Sequence, residues 1–260
     1  MPPPQDSIFP YILSIFQFIG ILINVLQILI LLQKDLRCNP TYRLMTWICL
    51  FDILSQISTF TAYSPLWIRN ILENELCFVS KSYQDTISNL LGSAFSDTFQ
   101  RLSIWLALVI CFYDAMKISK PNDVFKVISL LCLMSVIWSY MVYFQNVIQP
   151  VYFELDCTGI NVTFSETRYQ VVIALPKHKV LYGRILILDG IVKIVPTVME
   201  CALMMVLLKN EKARCTDERT KRENVTKLIL VFMIPYLLTG VPSTLATCLK
   251  ALLPDDSLVL

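Results

Sequence analysis

Charge is what this chain has least of. Only 16% of its 260 residues are Asp, Glu, Lys or Arg, against roughly 25% in an average soluble domain. Histidine occurs once, as His178, which leaves nothing for a histidine-rich metal or haem site. The nine cysteines stand singly with no C-x-x-C pair, so neither a zinc ribbon nor a thioredoxin-like centre is available. No H-E-x-x-H occurs, and no nucleophile–base pair surrounds His178, so an enzyme is not expected and no cofactor is implied. No period of 20–50 residues repeats along the chain. What is abundant is apolar: 55% of residues are hydrophobic and the net charge is only +2. A soluble single domain, a nucleic-acid binder and a disordered protein are all excluded.

Length turns this composition into architecture. A spanning helix needs about 20 mostly apolar residues. Six stretches qualify, at about 9–33, 44–64, 86–116, 125–148, 181–208 and 227–250. An all-α membrane protein with six predicted transmembrane helices is the expected fold, in one bundle over 1–260. The first stretch has no basic flank before it and no small-residue cleavage site, which disfavours a cleaved signal peptide. Loops 34–43, 117–126 and 209–226, with Lys227 at the margin of the last, hold 13 of the 22 basic residues. That excess marks the cytoplasmic side and puts the N-terminus outside. The sequon at Asn161 then falls in an outer loop and is expected to be glycosylated. Cys77 and Cys157 are the two cysteines in outer loops, where an oxidising exterior allows a disulfide; two free thiols are the alternative.

The few polar residues inside the spans repay inspection, because each is costly in hydrocarbon without a partner. Asn24 stands four residues after Gly20 in the first span, and Asp52 lies in the second. The third holds Asp97 and Arg101 at i, i+4, a spacing that allows an intrahelical ion pair. The fifth places Asp189, Lys193, Pro196 and Glu200 on one stripe, with Asp189 and Lys193 again at i, i+4. Trp138 sits centrally in the fourth, and Pro235 and Pro242 kink the sixth.

Asn24, Asp52, Trp138, Pro196 and Pro242 together resemble the signature positions of rhodopsin-like G-protein-coupled receptors. More narrowly, the run from Asp97 through Arg101, Ser103 and Trp105, followed by Lys120-Pro121, is similar to the nematode serpentine receptors of class W, which are peptide-receptor-like chemoreceptors. The resemblance covers nearly the whole chain. It implies a serpentine bundle in the plasma membrane, an extracellular peptide or small-molecule ligand, and a heterotrimeric G protein as partner. It further implies an outer ligand pocket involving Ser96, Asp97, Arg101, Asp189 and Lys193. A sodium-type pocket at Asp52 and Ser103, and a connector of Pro196, Ile104 and Tyr236 leading to the hinge at Pro242, complete the picture. Bland readings stand beside these: Asp52 as a hydrogen-bonded hub, Asp97–Arg101 and Asp189–Lys193 as self-neutralising pairs.

Three positions depart from the pattern. Counting back seven residues from Pro121 gives Asp114, where the family carries arginine. Gly240 stands where many relatives carry a tryptophan, and no seventh helix with Asn-Pro-x-x-Tyr is present in the 260 residues. The expectation is a chemosensory or neuropeptide receptor, truncated and impaired in signalling. A non-signalling dimer partner and a six-helix transporter or channel subunit are the alternatives.

Overall fold

The computed structural model describes residues 8–34, 40–73, 82–116, 123–144, 146–156, 163–173 and 179–212. In chain order these form helices α1 (Ile8–Leu31), α2 (Pro40–Glu73), α3 (Tyr83–Met116) and α4 (Asp123–Tyr143). A hairpin of β1 (Asn146–Asp156) and β2 (Thr163–Ile173) follows, and then α5 (Lys179–Lys212). The stretch expected at 227–250, with Tyr236 and Pro242, lies outside the described residues, as do Cys77, Cys157 and Asn161.

Local chemistry explains several boundaries. Pro40 opens α2, where its missing N–H is one of the unpaired donors of any first turn. Ser82 caps α3 reciprocally: its hydroxyl accepts from the Asp85 amide at 3.0 Å, and its own amide donates to Asp85 Oδ2 at 3.1 Å. Helix α2 runs nine residues past the interval read from hydropathy, continuing through Pro65, which supplies no N–H to the Thr61 carbonyl; the Ser64 hydroxyl donates to that carbonyl at 3.1 Å instead. At the other extreme α4 stops at Tyr143 and the chain becomes extended by Asn146, short of the expected end at 148. The outer loop expected over 149–180 is largely an antiparallel hairpin, in register from Asn146↔Ile173 to Asp156↔Thr163. The two 11-residue strands are rich in Val, Ile, Tyr, Phe and Thr, the β-branched and aromatic residues that favour a pleated surface.

The helices are inside-out relative to a water-soluble bundle. Along α1 the polar Gln17, Asn24 and Gln27 are buried, while Phe18, Leu22, Leu26 and Leu29 face outward. Helix α4 exposes Leu130, Leu133, Met134, Ile137 and Tyr140 in the same way. Polar groups that turn inward and apolar groups that turn outward suit lipid as the surrounding solvent. Tyr42–Ser64 of α2 is by itself long and apolar enough to cross a bilayer.

Helix α3 is the central element, packing against α2, α4, α5 and both strands. The two halves of the bundle differ in chemistry. At the end where α1 passes to α2, an apolar core gathers Leu31, Leu44, Met45, Cys49, Phe51, Leu102, Leu106, Ile110 and Ile128. Phe51, Phe99 and Phe95 continue it as a stack of rings with centroids 6.3 Å apart. Toward the hairpin end, polar and ionic groups take over.

Two glycines set how closely α2 is approached. A Cβ on Gly92 would lie 2.8 Å from the Ala62 Cβ and from the Ser58 carbonyl oxygen, both on α2. A Cβ on Gly20 would meet only the amide of Gln56, the mobile end of a side chain. Gly92→Ala should therefore force α2 from α3 and cost about 1–3 kcal/mol, whereas Gly20→Ala should cost under about 1 kcal/mol. Unfolding of the two variants in lipid–detergent mixtures checks this; equal losses would contradict it.

Candidate functional site

The ionic residues converge between α3, α4 and α5. Arg101 and Asp97 come from the middle of α3, one turn apart, and Asp189 and Lys193 come from α5, also one turn apart. Arg101 donates from Nε to Asp189 Oδ1 at 2.8 Å. Lys193 bridges both acids, with Nζ 2.9 Å from Asp97 Oδ1 and 2.9 Å from Asp189 Oδ2. Helix α4 closes the third side. Trp138 Nε1 donates to Asp189 Oδ1 at 2.8 Å, Tyr143 donates its phenol proton to Asp97 Oδ2, and Ser139 accepts from Arg101 Nη1. Thr98 and Ser139 share a further hydroxyl bond across the α3–α4 seam.

Formally the quartet is neutral, two acids against two bases. Side chains of Arg101, Asp189 and Lys193 are each 1% exposed, and Asp97 alone keeps 27%. Burial this deep is tolerable only because each charge meets an opposite one and further donors reach the carboxylates. One atom is the exception: Arg101 Nη2 is buried and has no hydrogen-bond partner among the described residues. One turn beyond Lys193, Pro196 supplies no N–H to the Val192 carbonyl, so α5 is weakest beside its charged pair. Thr197 donates its hydroxyl to the next carbonyl along, that of Lys193, at 2.9 Å.

This geometry alters the pairing expected from spacing. Asp189 and Lys193 do meet within α5 at i, i+4. Arg101 does not spend its hydrogen bonds on Asp97 one turn away; it turns to α5, and Asp97 takes its cation from Lys193. Ser96 is not in the cluster. Its hydroxyl and carbonyl are engaged by Ser55 and Thr59 on α2, the opposite flank of α3. Asn24 finds its partner within its own helix, donating back to the Gly20 carbonyl at 3.0 Å. Asp52 and Ser103 are hydrogen-bonded to each other across α2 and α3. No group of three metal-ligating side chains gathers there or elsewhere among the described residues. Pro196 and Ile104 are both buried. Asp114 lies near the last turn of α3, in the half away from the quartet.

Tyr143, Ser139, Ser135 and Thr98 were not singled out from the sequence. Their signal is weak, because hydroxyl residues are common in membrane helices; only the repeated four-residue spacing of Ser135, Ser139 and Tyr143 marks one α4 face.

The hairpin roots overlook this cluster. The Thr86 hydroxyl lies 3.1 Å from the Tyr169 carbonyl of β2, and the Tyr83 and Tyr169 rings meet edge-on at 5.3 Å. Asn146, which begins β1, hydrogen-bonds Tyr182 on α5.

An inverted polarity pattern, a hairpin over one end and a polar cluster beneath it describe a membrane bundle with a recessed polar site. Comparison with known proteins agrees. No curated protein matches the chain at a significant level. The family model for the serpentine type 7TM GPCR chemoreceptor Srw matches residues 11–260, nearly the whole length, and the chain therefore belongs to this family of multi-pass membrane receptors.

Proposed function

We propose that the chain is a plasma-membrane chemoreceptor, N-terminus outside, whose outer pocket lies between α3, α4 and α5 beneath the hairpin. The observation that supports this reading most is the buried quartet. It ties three helices together, yet the Asp97 side chain stays 27% exposed. Such a cluster suits a two-state device. Its bonds hold one arrangement of α3 and α5, and a ligand that rearranges them shifts the population toward another. Pro196 gives α5 a flexible point one turn away. A heterotrimeric G protein would read the change at the cytoplasmic end, close to Asp114.

Surface-labelled cells carrying a G-protein nucleotide-exchange reporter test the proposal. An N-terminal epitope should be reachable without permeabilisation, and Lys193→Met, which loosens the α3–α5 tie, should change basal exchange several-fold. Normal surface labelling with no exchange in either form would favour a non-signalling partner subunit.

A further inference from the structure

We infer that the pocket takes an uncharged ligand presenting a hydrogen-bond acceptor, such as a carbonyl oxygen, to Nη2 of Arg101, which has no partner among the described residues. This rests on the reading of the quartet as the ligand-sensing site, and it adds the chemical class. Three observations lead to it.

The first is charge balance. Asp97 and Asp189 already neutralise Arg101 and Lys193, and three of the four side chains are 1% exposed. A ligand cation would set three positive charges against two negative ones, and a ligand anion would do the reverse. In a poorly solvated site neither excess is screened, so ions of both signs are disfavoured.

The second is valence. Asp97 Oδ1 accepts from Lys193 and Oδ2 from Tyr143; Asp189 Oδ1 accepts from Arg101 and Trp138, and Oδ2 faces Lys193. Every carboxylate oxygen already has a donor held in place, so an incoming amine would share an oxygen with a fixed donor. On Arg101 the Nε and Nη1 protons are spent on Asp189, Ser139 and the Ser135 carbonyl. Nη2 is buried and has no partner among the described residues. A buried charged donor without an acceptor is the costliest polar group to leave as it is, and a neutral oxygen satisfies it without disturbing the balance of charge.

The third is access. Asp97 forms the exposed rim, and α4 packs only sparsely on α5. A ligand entering at Asp97 reaches Arg101 by parting α4 from α5, so filling the donor and moving the helices are one event.

The test uses the purified full chain in lipid nanodiscs and follows thermal unfolding by tryptophan fluorescence. Four seven-carbon probes differ only in head group: 2-heptanone, heptanamide, heptylamine and heptanoate. The neutral probes should raise the wild-type midpoint by about 2–4 °C, and the two ions should not. Arg101→Met should lose that rise. Lys193→Met, left with two acids against one base, should gain a rise with heptylamine that the wild type lacks. Should Arg101→Met not fold, the charge-balanced pair Arg101→Met with Asp189→Asn replaces it. The inference is overturned if an ionic probe stabilises the wild type as well as the ketone does, if the neutral probes act equally on the arginine-less protein, or if no probe raises the wild-type midpoint. Binding is read without a G protein, so a failure to signal and a failure of this ligand class are told apart.

Discussion

Asp189→Asn is expected to remove about 3–5 kcal/mol of bundle stability, the range found when one member of a buried ion pair is deleted. Asp189 accepts from Arg101 and Trp138 and pairs with Lys193, so it anchors all three helices. Asparagine keeps the shape but not the charge. Arg101 and Lys193 would then share Asp97 alone, and a net positive charge would remain in a site that is almost fully enclosed. Adding Lys193→Met to Asp189→Asn restores neutrality, and about half of the loss should return if the penalty is electrostatic. Unfolding in lipid–detergent mixtures measures both variants. A single variant as stable as the wild type would show that the quartet contributes no net stability, whatever its geometry suggests.

The second large effect is expected at the other end of α3. An arginine near a G-protein site offers five donors and a fixed charge, which can bond the backbone carbonyls of an inserted peptide. Asp114 offers only acceptors and would face those carbonyls unfavourably. Losing a charge-assisted bond and adding repulsion amounts to about 2–4 kcal/mol, or roughly 30- to 1,000-fold in coupling. Asp114→Arg should therefore raise nucleotide exchange on a reconstituted G protein by that order at equal receptor density. Equal exchange from both forms would remove Asp114 from any account of weak coupling.

Much of the architecture was readable from the residues alone, and the reasons are physical. Hydrocarbon demands long apolar runs, so membrane helices announce themselves, and the family signature at Asn24, Asp52 and Trp138 could be read off those runs. The rare charges were equally conspicuous. Their partners were not. Asp97 and Arg101 stand at helical spacing, and only the arrival of α5, 88 residues later, turns Arg101 to Asp189. The Trp138 hydrogen bond to Asp189 was hidden for the same reason. Spacing along one helix says which residues are neighbours, while packing between helices says which of them bond. The hairpin escaped notice for a different cause. Its strands lie between two obvious spans, where polar residues and Pro150 read as loop, although Thr163–Ile173 carries strand-favouring side chains.

The exchange of partners has a consequence for biosynthesis. Each charged helix carries one acid and one base a turn apart, Asp97 with Arg101 on α3 and Asp189 with Lys193 on α5. Before the bundle assembles, each helix must enter the bilayer by itself, and an unpaired charge at its centre then costs about 2.5–3.5 kcal/mol. An opposite charge one turn away lets each helix neutralise itself during that step. Arg101 can then release its neighbour for Asp189 once α5 has docked, while Lys193 keeps Asp189 and gains Asp97. The spacing of these four residues thus suits both stages, separate helices entering the bilayer and the joint between them once assembled.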